Sequence, residues 1–326
     1  MPTPRLSVVV TRRLPERVEA RMRELFDATF PDDDAPMGRD ALAAAMRGAD
    51  VLVPTLSDAI DASLLAGAGD RLKLIANYGA GVDHIDVATA RQRGVLVSNT
   101  PGAQAEDTAD LAFALMLAVL RRMPEGMAEM QAGAWSGWAP EALLGARLRG
   151  RRLGILGMGR IGQAVAWRAR AFGMEVHYHN RRRLHPGLEA DATFHDSLDR
   201  LVGTADVLSV NCPHTPATFH LLNARRLRLM KPTAVVVNTS RGEVIDENAL
   251  TRMLRAGELA GAGLDVYEHG RGVNPRLRAL PNVVLTPHMG SATREARLEM
   301  GERLLLNMQT FADGHRPPDL VVPSMV

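Results

Sequence analysis

The sequence has almost no cysteine, no long apolar segment and no concentrated basic region. Its only cysteine, Cys212, excludes an intrachain disulfide and a metal site built from several cysteines. The longest uncharged apolar run, residues 111–120, is about half as long as a membrane-spanning helix. The tightest basic cluster is Arg181–Arg183, which is too short for a nucleic-acid footprint. These absences argue against a disulfide scaffold, a membrane-spanning protein and a nucleic-acid-binding protein.

The chain is long enough for two ordinary globular domains. It has 326 residues, 46% hydrophobic and 23% charged, and its 39 basic and 37 acidic side chains give a net charge of +2. At roughly 150 residues per domain, this length predicts two domains, and the composition is too apolar for a disordered chain. Arg12 and Arg13 interrupt the apolar N-terminal stretch, which predicts a first β-strand instead of a signal peptide. We therefore expect a cytoplasmic protein.

Short β-branched runs alternate with helical patterns, as in parallel sheets built from βαβ units. Four strands are predicted early in the chain, at Ser7–Val10, Val51–Pro54, Leu74–Asn77 and Val95–Ser98. Six more match a complete nucleotide-binding domain: Arg152–Leu156, Glu175–Tyr178, Val207–Asn211, Thr233–Asn238, Ala262–Asp265 and Val283–Thr286. We predict an α/β protein with two doubly wound parallel-sheet domains, one flavodoxin-like and one an inserted Rossmann domain.

The predicted division is discontinuous, because no strand follows the last predicted helix, residues 292–311. That helix would return to the first domain. The expected bounds are 1–100 with 290–326 for a catalytic, substrate-binding domain, and 101–289 for a dinucleotide-binding domain.

A glycine-rich loop, Gly157-Met158-Gly159-Arg160-Ile161-Gly162, lies between a predicted strand and a predicted helix. In a dinucleotide-binding loop, the first glycine permits the tight turn and the second lets the backbone approach a pyrophosphate. The third allows close packing of helix and strand, and the helix N-terminus stabilises the phosphate charge. We predict a bound dinucleotide here; the alternative is a glycine-rich turn without a ligand.

The end of the next predicted strand bears on the choice of cofactor. Asn180 stands where an acid would hold the adenosine ribose hydroxyls of NAD. Arg181 and Arg182 follow, and their guanidinium groups are suited to a 2′-phosphate. We therefore predict NADPH as the preferred cofactor, with NADH as the second choice; the alternative is a solvated arginine loop.

Six ordered segments resemble the D-isomer-specific 2-hydroxyacid dehydrogenases, close to the glyoxylate/hydroxypyruvate reductase (glycerate dehydrogenase) branch. They are NYGAGVDHID (77–86), SNTPG (98–102), LGILGMGRIG (153–162), VNTSRGEVID (237–246), GAGLDVYE (261–268) and LTPHMGSAT (285–293). The resemblance covers nearly the whole chain. It implies hydride transfer between NAD(P)H and a small 2-keto acid, giving the D-2-hydroxy acid.

The resemblance assigns the reaction to two residues. Arg241 matches the family's substrate-binding arginine, and its planar cation can hold the 2-keto carboxylate and polarise the carbonyl. His288 matches the acid–base histidine, which would protonate the developing alkoxide during reduction. A surface ion pair for Arg241 and a structural role for His288 are the alternatives.

The third catalytic position departs from the family pattern. Counting five residues from Asp265, where the family has a glutamate paired with the histidine, leads to Gly270. Glu268 is the nearby acid, two residues too early, and His269 follows it. Three interpretations remain: a rearranged loop brings Glu268 into place, the other two residues work without an acid or with help from His269, or the protein is inactive. Since a missing carboxylate disfavours protonation of His288, activity is expected to favour more acidic pH than in complete relatives.

The remaining assignments also come from the resemblance. Ala80 and Gly81 would offer backbone N–H groups to the substrate carboxylate, the alternative being a plain strand-to-helix turn. Trp138 with Trp135 would reach the active site of a partner subunit, the alternative being core or interface aromatics. For Asp265, a capping role is the alternative to a cofactor contact. The cofactor-binding set implied by the match is Gly157, Gly159, Arg160, Ile161, Gly162, Asn180, Arg181, Arg182, Thr108, Cys212, Pro213, Thr239 and Asp265. We expect no metal, a small 2-keto or 2-hydroxy acid as the substrate, and a homodimer formed through the apolar helix around residues 111–120.

Two other function classes stay open. One is an NAD(P)(H)-binding regulatory protein on the same fold, which Gly270 mildly favours and the retained Arg241 and His288 disfavour. The other is a different oxidation, such as that of formate or phosphite. Fold alone does not separate these possibilities.

Overall fold

We describe residues 5–270 and 272–322 of the protein from a computed structural model. Their contacts divide into two compact units. The first comprises the described residues of Met1–Gln104 and Ala292–Val326, and the second those of Ala105–Ser291. No helix among the described residues is both long and apolar enough to cross a membrane.

Each unit contains one parallel sheet. The first has the order β2-β1-β3-β4-β5 and the second the order β12-β11-β10-β9-β6-β7-β8. In chain order the strands are β1 (Ser7–Val10), β2 (Asp27–Thr29), β3 (Val51–Val53), β4 (Leu74–Ala76), β5 (Leu96–Ser98), β6 (Arg152–Leu156), β7 (Glu175–His179), β8 (Thr193–Phe194), β9 (Val207–Val210), β10 (Val235–Asn238), β11 (Gly261–Leu264) and β12 (Val283–Leu285).

The helices connect these strands and cover the sheets. They are α1 (Glu16–Leu25), α2 (Arg39–Gly48), α3 (Ala62–Ala66), α4 (Val87–Gln92), α5 (Ala105–Leu120), α6 (Met123–Gln131), α7 (Arg160–Ala171), α8 (Pro186–Glu189), α9 (Leu198–Thr204), α10 (Ala224–Leu227), α11 (Glu247–Ala256), α12 (Pro275–Arg278) and α13 (Arg294–Ala312), with a 3₁₀ turn at Gly242–Val244.

The two strand orders confirm the predicted fold class. The first sheet has the flavodoxin-like order, and the second has the order of a dinucleotide-binding domain with one further strand. The sequence analysis missed β2 and β8, which are edge strands of three and two residues. Such strands bury little, so they lack the continuous apolar run by which the central strands are recognised.

Helices cover both faces of the second sheet. On one face, α5 and α7 pack over β6 through a cluster that contains Met116, Val165 and Ile155. On the other face, α9 and α11 pack over β9 and β10. Because both faces are covered, β9 and β10 are buried along their whole length, and functional groups are confined to the loops at the strand ends.

In the first unit, α13 packs against α1 although the two helices are distant in the sequence. Met300, Leu304 and Met308 of α13 join Val18 and Met22 of α1 in one buried cluster. The last described helix is therefore part of the first unit's core.

Candidate active site

The candidate residues of the second unit follow successive strands of one parallel sheet. Gly157 follows β6, Asn180 follows β7, and Arg241 lies just after β10. Asp265 follows β11, and His288 follows β12. In a parallel sheet the carboxyl ends of all strands meet at one edge, where open α/β sheets bind their ligands. The structure therefore brings these loops to a common edge.

The glycine-rich loop is shaped by close backbone contacts. Gly157 has a φ of +96°, and a Cβ there would lie 2.6 Å from the backbone nitrogen of Cys212. A Cβ on Gly162 would lie 2.3 Å from the carbonyl oxygen of Gly157. A Cβ on Gly159 would meet no atom within 4 Å, which leaves space in front of this backbone. The loop thus has the two packed glycines and the one open glycine that a pyrophosphate-binding turn requires.

Two buried polar atoms just after β9 and β10, at the same edge of the sheet, fit a dinucleotide. Thr239 Oγ1 and Asn211 Oδ1 are buried and have no hydrogen-bond partner among the described residues. An unpaired buried oxygen is unfavourable, so a ligand that supplies hydroxyl or amide donors would be stabilised there. Burial raises the pKa of the Cys212 thiol to about 12, so this cysteine carries no nucleophilic thiolate at neutral pH.

The segment after β7 presents two arginines to solvent. Asn180 is turned inward, because its Oδ1 accepts a hydrogen bond of 2.6 Å from the backbone N–H of Met158. Arg181 and Arg182 are exposed, and neither forms a hydrogen bond or an ion pair with any described residue. Their guanidinium donors are therefore available to an anion.

Arg241 extends from a turn that Asn238 fixes. The buried Asn238 donates through Nδ2 to the Arg241 carbonyl at 2.9 Å, and its Oδ1 accepts from the Ser240 N–H at 3.0 Å. The turn also lies against the segment after β11, since a Cβ on Gly242 would come within 1.9 Å of the Tyr267 carbonyl carbon. Only glycine permits this approach.

Asp265 shapes the loop that carries His288. Its Oδ1 accepts from Thr286 Oγ1 at 2.6 Å and from the Met289 N–H at 2.8 Å, and its Oδ2 accepts from the Gly290 N–H at 2.9 Å. His288 has a φ of +54°, a left-handed conformation that is unfavourable for a side chain of its size. The Asp265 carboxylate, 1% exposed, therefore stabilises an otherwise strained backbone.

Thr108 lies against the same loop. It is buried in the first turn of α5 and donates through Oγ1 to the Gly290 carbonyl at 3.2 Å. A predicted cofactor contact thus lies beside the loop that bears the predicted acid–base residue.

Glu268 forms its hydrogen bonds with other groups than His288. Its Oε1 lies 2.7 Å from His220 Nε2, and its Oε2 accepts from the Glu247 N–H at 3.1 Å. Gly270, at the family's acid position, has a φ of +55°, and a Cβ there would meet nothing within 4 Å. Both oxygens of Glu268 are therefore engaged, while the position of the family's glutamate is open.

In the first unit, the turn after β4 is held by two asparagines. Asn77 Nδ2 donates to the carbonyls of Gly79 and Gly81 at 3.0 and 2.9 Å, and Asn99 Nδ2 donates to that of Ala80 at 2.7 Å. The N–H groups of Ala80 and Gly81 donate to no described residue. These two donors are thus left for another acceptor, as a carboxylate-binding turn requires.

The aromatic segment after α6 is exposed. Trp135 is 57% and Trp138 84% exposed. None of the residues of α6 is buried, and its Met123, Met127 and Met130 are about half exposed or more. These side chains form an apolar surface on the second unit, which we call the α6 surface.

Sequence reasoning missed the positioning roles of Asn238, Asn77 and Asn99. Each directly follows or ends a buried strand, and an asparagine at such a point is the available signal, because its amide can replace the backbone partners that the strand loses. Which carbonyls it binds depends on the folded turn.

The chain is similar to known dehydrogenases and reductases along most of its length. The family described as "D-isomer specific 2-hydroxyacid dehydrogenase, NAD binding domain" matches residues 113–290. A glyoxylate reductase from Thermococcus litoralis is 43% identical over 96% of this chain and 96% of its own length.

Two solved structures have the same fold over nearly the full length. A glyoxylate reductase described as from Paecilomyes thermophila superposes with a TM-score of 0.89 at 34% identity and covers 100% of both chains. An NADPH-dependent glyoxylate/hydroxypyruvate reductase from Sinorhizobium meliloti, solved with NADP and malonate, gives a TM-score of 0.88 at 32% identity, covering 98% of this chain and 97% of that one.

The Asp265 contacts predict a local change in backbone protection. In Asp265→Asn, at least one of the three donors loses its acceptor, which weakens the loop by about 1–3 kcal/mol. Hydrogen exchange of the Met289 and Gly290 amides should then accelerate about 5- to 150-fold. Asp246→Asn is the matched control, because asparagine caps a helix as well as aspartate does at the start of α11. Unchanged exchange at residues 289 and 290 would contradict this role of Asp265.

Proposed function

We propose that this chain, which belongs to the D-isomer-specific 2-hydroxyacid dehydrogenase family, reduces glyoxylate, hydroxypyruvate and similarly small 2-keto acids with NADPH. Membership makes it an NAD(P)-dependent oxidoreductase of 2-keto and D-2-hydroxy acids. The observation that carries the proposal is the common edge of the second sheet, where the glycine-rich loop, the Arg241 turn and the His288 loop come together. The cytoplasmic location stays a prediction.

The substrate class is supported by groups that suit a carboxylate. In the second unit, Arg241 supplies a permanent planar cation, which suits a carboxylate next to a carbonyl. In the first unit, taken by itself, the N–H groups of Ala80 and Gly81 donate to no described residue and also suit a carboxylate. Relatives named glyoxylate reductase are 43% identical along almost the whole chain, which favours small substrates.

The residues would share the reduction as follows. When bound, the nicotinamide cofactor would supply the hydride for this reduction. Arg241 holds the carboxylate and stabilises the negative charge that develops on the carbonyl oxygen. His288 donates its imidazolium proton to that oxygen, so that the alkoxide becomes a hydroxyl, and in oxidation it takes the proton back. Asp265 and Asn238 keep the two catalytic loops in shape.

The geometry around Glu268 favours the interpretation in which no acid pairs with His288 from this segment. Both of its oxygens are used by His220 and the Glu247 N–H, so His288 could gain this carboxylate only if those bonds broke. The protein would then catalyse the reaction with Arg241 and His288 alone. Without a neighbouring carboxylate, protonation of the His288 imidazole would be less favourable.

Restoring the family's acid should shift the pH dependence. Reduction requires protonated His288, and a nearby carboxylate favours that form, so in Gly270→Glu the pH above which kcat/KM falls should move upward by about one unit. Space is available, although the positive φ costs about 1–3 kcal/mol. Gly270→Gln is the matched control, with the same strain and no charge. If both variants have the same pH–rate profile, the absent acid does not control His288.

Glu268→Gln tests the competing interpretation in the same assay. If Glu268 serves as the acid partner of His288, this variant should lower the pH above which kcat/KM falls. We expect that pH to stay where it is.

The preference for NADPH is supported by the segment after β7. Arg181 and Arg182 have no partner among the described residues, and Asn180 places no negative charge there to repel a 2′-phosphate. Each charge-assisted bond to the phosphate should contribute about 1.5–3 kcal/mol, diminished here by exposure.

This preference is measurable as a ratio of kcat/KM for NADPH to that for NADH, with glyoxylate as the substrate. The ratio should be at least about 10 in the wild type. In Arg182→Gln it should be about tenfold lower. Arg200→Gln, an exposed arginine on α9, should leave it unchanged. Equal kcat/KM values with the two cofactors would refute the preference. If the protein binds NADPH but turns over no 2-keto acid, the result would favour the regulatory-protein alternative that Gly270 suggests.

A homodimer is supported by the α6 surface and not by the predicted interface at residues 111–120, most of which pack into the core of the second unit. An isolated nine-residue helix is unstable in water unless it packs on another element, yet α6 buries none of its side chains within this chain. Met123, Met127 and Met130 share one face by their spacing, and Trp135 and Trp138 extend the apolar area. A second copy of the chain is the occupant that the family resemblance implies.

Sedimentation velocity tests this assembly. The wild type should sediment with about twice the chain mass, and Met127→Lys should shift the population toward the monomer, because a charge in an apolar interface is unfavourable. Leu229→Lys, at a similarly exposed leucine away from α6, should not. A monomeric wild type, or a dimer indifferent to Met127→Lys, would refute the proposed interface.

A further inference from the structure

The three consecutive arginines after β7 differ in their surroundings. Arg181 and Arg182 have no hydrogen bond or ion pair with described residues. Arg183 instead lies against Glu189, with its Nε 3.0 Å from Oε1 and its terminal nitrogen 2.9 Å from Oε2. One arginine of the cluster is therefore neutralised within the protein, and two are left for a ligand.

Glu189 links this arginine to the core of the sheet. It is only 5% exposed, and its Oε1 accepts from the Tyr178 hydroxyl at 2.7 Å. Tyr178 lies on β7 with no exposed surface, and its hydroxyl oxygen accepts in turn from the Leu184 N–H at 3.1 Å. Tyr178, Arg183 and Glu189 thus form a continuous polar network, which we call the β7 anchor.

The anchor fixes one end of the arginine segment, and the glycine-rich loop fixes the other. Asn180 bonds to the Met158 N–H before the arginines, and Leu184 bonds to Tyr178 after them. Helix α8 has only four residues and cannot hold this segment by its own hydrogen bonds. The backbone of Arg181 and Arg182 is therefore held on both sides.

We infer that the β7 anchor sets selectivity for NADPH over NADH by holding Arg181 and Arg182 in place for the 2′-phosphate, and that Arg183 is a positioning residue and not a phosphate ligand. The inference rests on the proposed NADPH preference. An ordered segment loses less conformational freedom when its arginines close on the phosphate, so binding is tighter. NADH has no 2′-phosphate, so its binding should not depend on the anchor.

The charge of Arg183 also favours NADPH binding, because it compensates the charge of Glu189. Arg183 lowers the pKa of Glu189, which is therefore a carboxylate at neutral pH. Without Arg183 this negative charge would stand uncompensated near the phosphate-binding arginines. Tyr178→Phe separates the two effects, because it removes both hydrogen bonds of the Tyr178 hydroxyl and leaves every charge in place.

The experiment measures kcat and KM for NADPH and NADH in Arg183→Leu, Tyr178→Phe and Arg182→Gln. Arg225→Leu is the matched control, since Arg225 also pairs with a carboxylate and is 63% exposed, against 64% for Arg183. In Arg183→Leu and Tyr178→Phe, the KM for NADPH should rise about 3- to 10-fold. The kcat and both NADH constants should stay near wild-type values, which also reports a correct fold.

A second comparison distinguishes positioning from direct contact. With Arg182 already replaced by glutamine, adding Tyr178→Phe should raise the KM for NADPH by less than it does in the wild type. An effect of Arg183→Leu without any effect of Tyr178→Phe would assign Arg183 to the phosphate and overturn the inference. Equal losses with both cofactors would also overturn it. A wild type without NADPH preference would refute the proposed cofactor choice itself.

Discussion

The hydrogen bonds of the Asp265 carboxylate connect two strand ends that the rest of the site depends on. Asp265 follows β11, and its acceptors bind groups at Thr286, Met289 and Gly290, just beyond β12. A buried carboxylate is stable only when its oxygens are satisfied, and these donors satisfy it only if the intervening backbone bends sharply. The left-handed conformation of His288 is the consequence.

Asparagine side chains hold the other loops at the strand ends through hydrogen bonds to the backbone. Asn238 ties back the Arg241 carbonyl, and Asn77 with Asn99 ties back three carbonyls of the turn at residues 79–81. An amide side chain can do this because its Nδ2 donates to the backbone carbonyls that the folded turn brings within reach. The N–H groups of Ala80 and Gly81 then donate to no described residue, whereas the Arg241 side chain donates within its own turn to the Ser240 carbonyl at 2.8 Å.

The chain lacks the family's acid at residue 270, but the hydrogen bonds that hold the neighbouring turns together are present. Glu268 belongs to the bonding that joins three segments, through His220, the Glu247 N–H and its own backbone. That bonding supports the turn after Arg241, because the Gly242 backbone rests on the Tyr267 carbonyl. The hydrogen bonds around Arg241, for which we propose a substrate-binding role, are thus present although Gly270 stands at the family's acid position.

The fold class, both parallel sheets, the glycine-rich loop and the family could be predicted from the sequence, because they follow from local periodicity and from motifs of adjacent residues. The edge strands β2 and β8 could not, since their residues are too few and too exposed to show a pattern. The folded chain alone reveals that Glu268 bonds to His220, 48 residues away, and that Arg183 differs from its two neighbours. Such choices depend on which donors the folded chain brings within about 3 Å, and sequence spacing does not encode that distance.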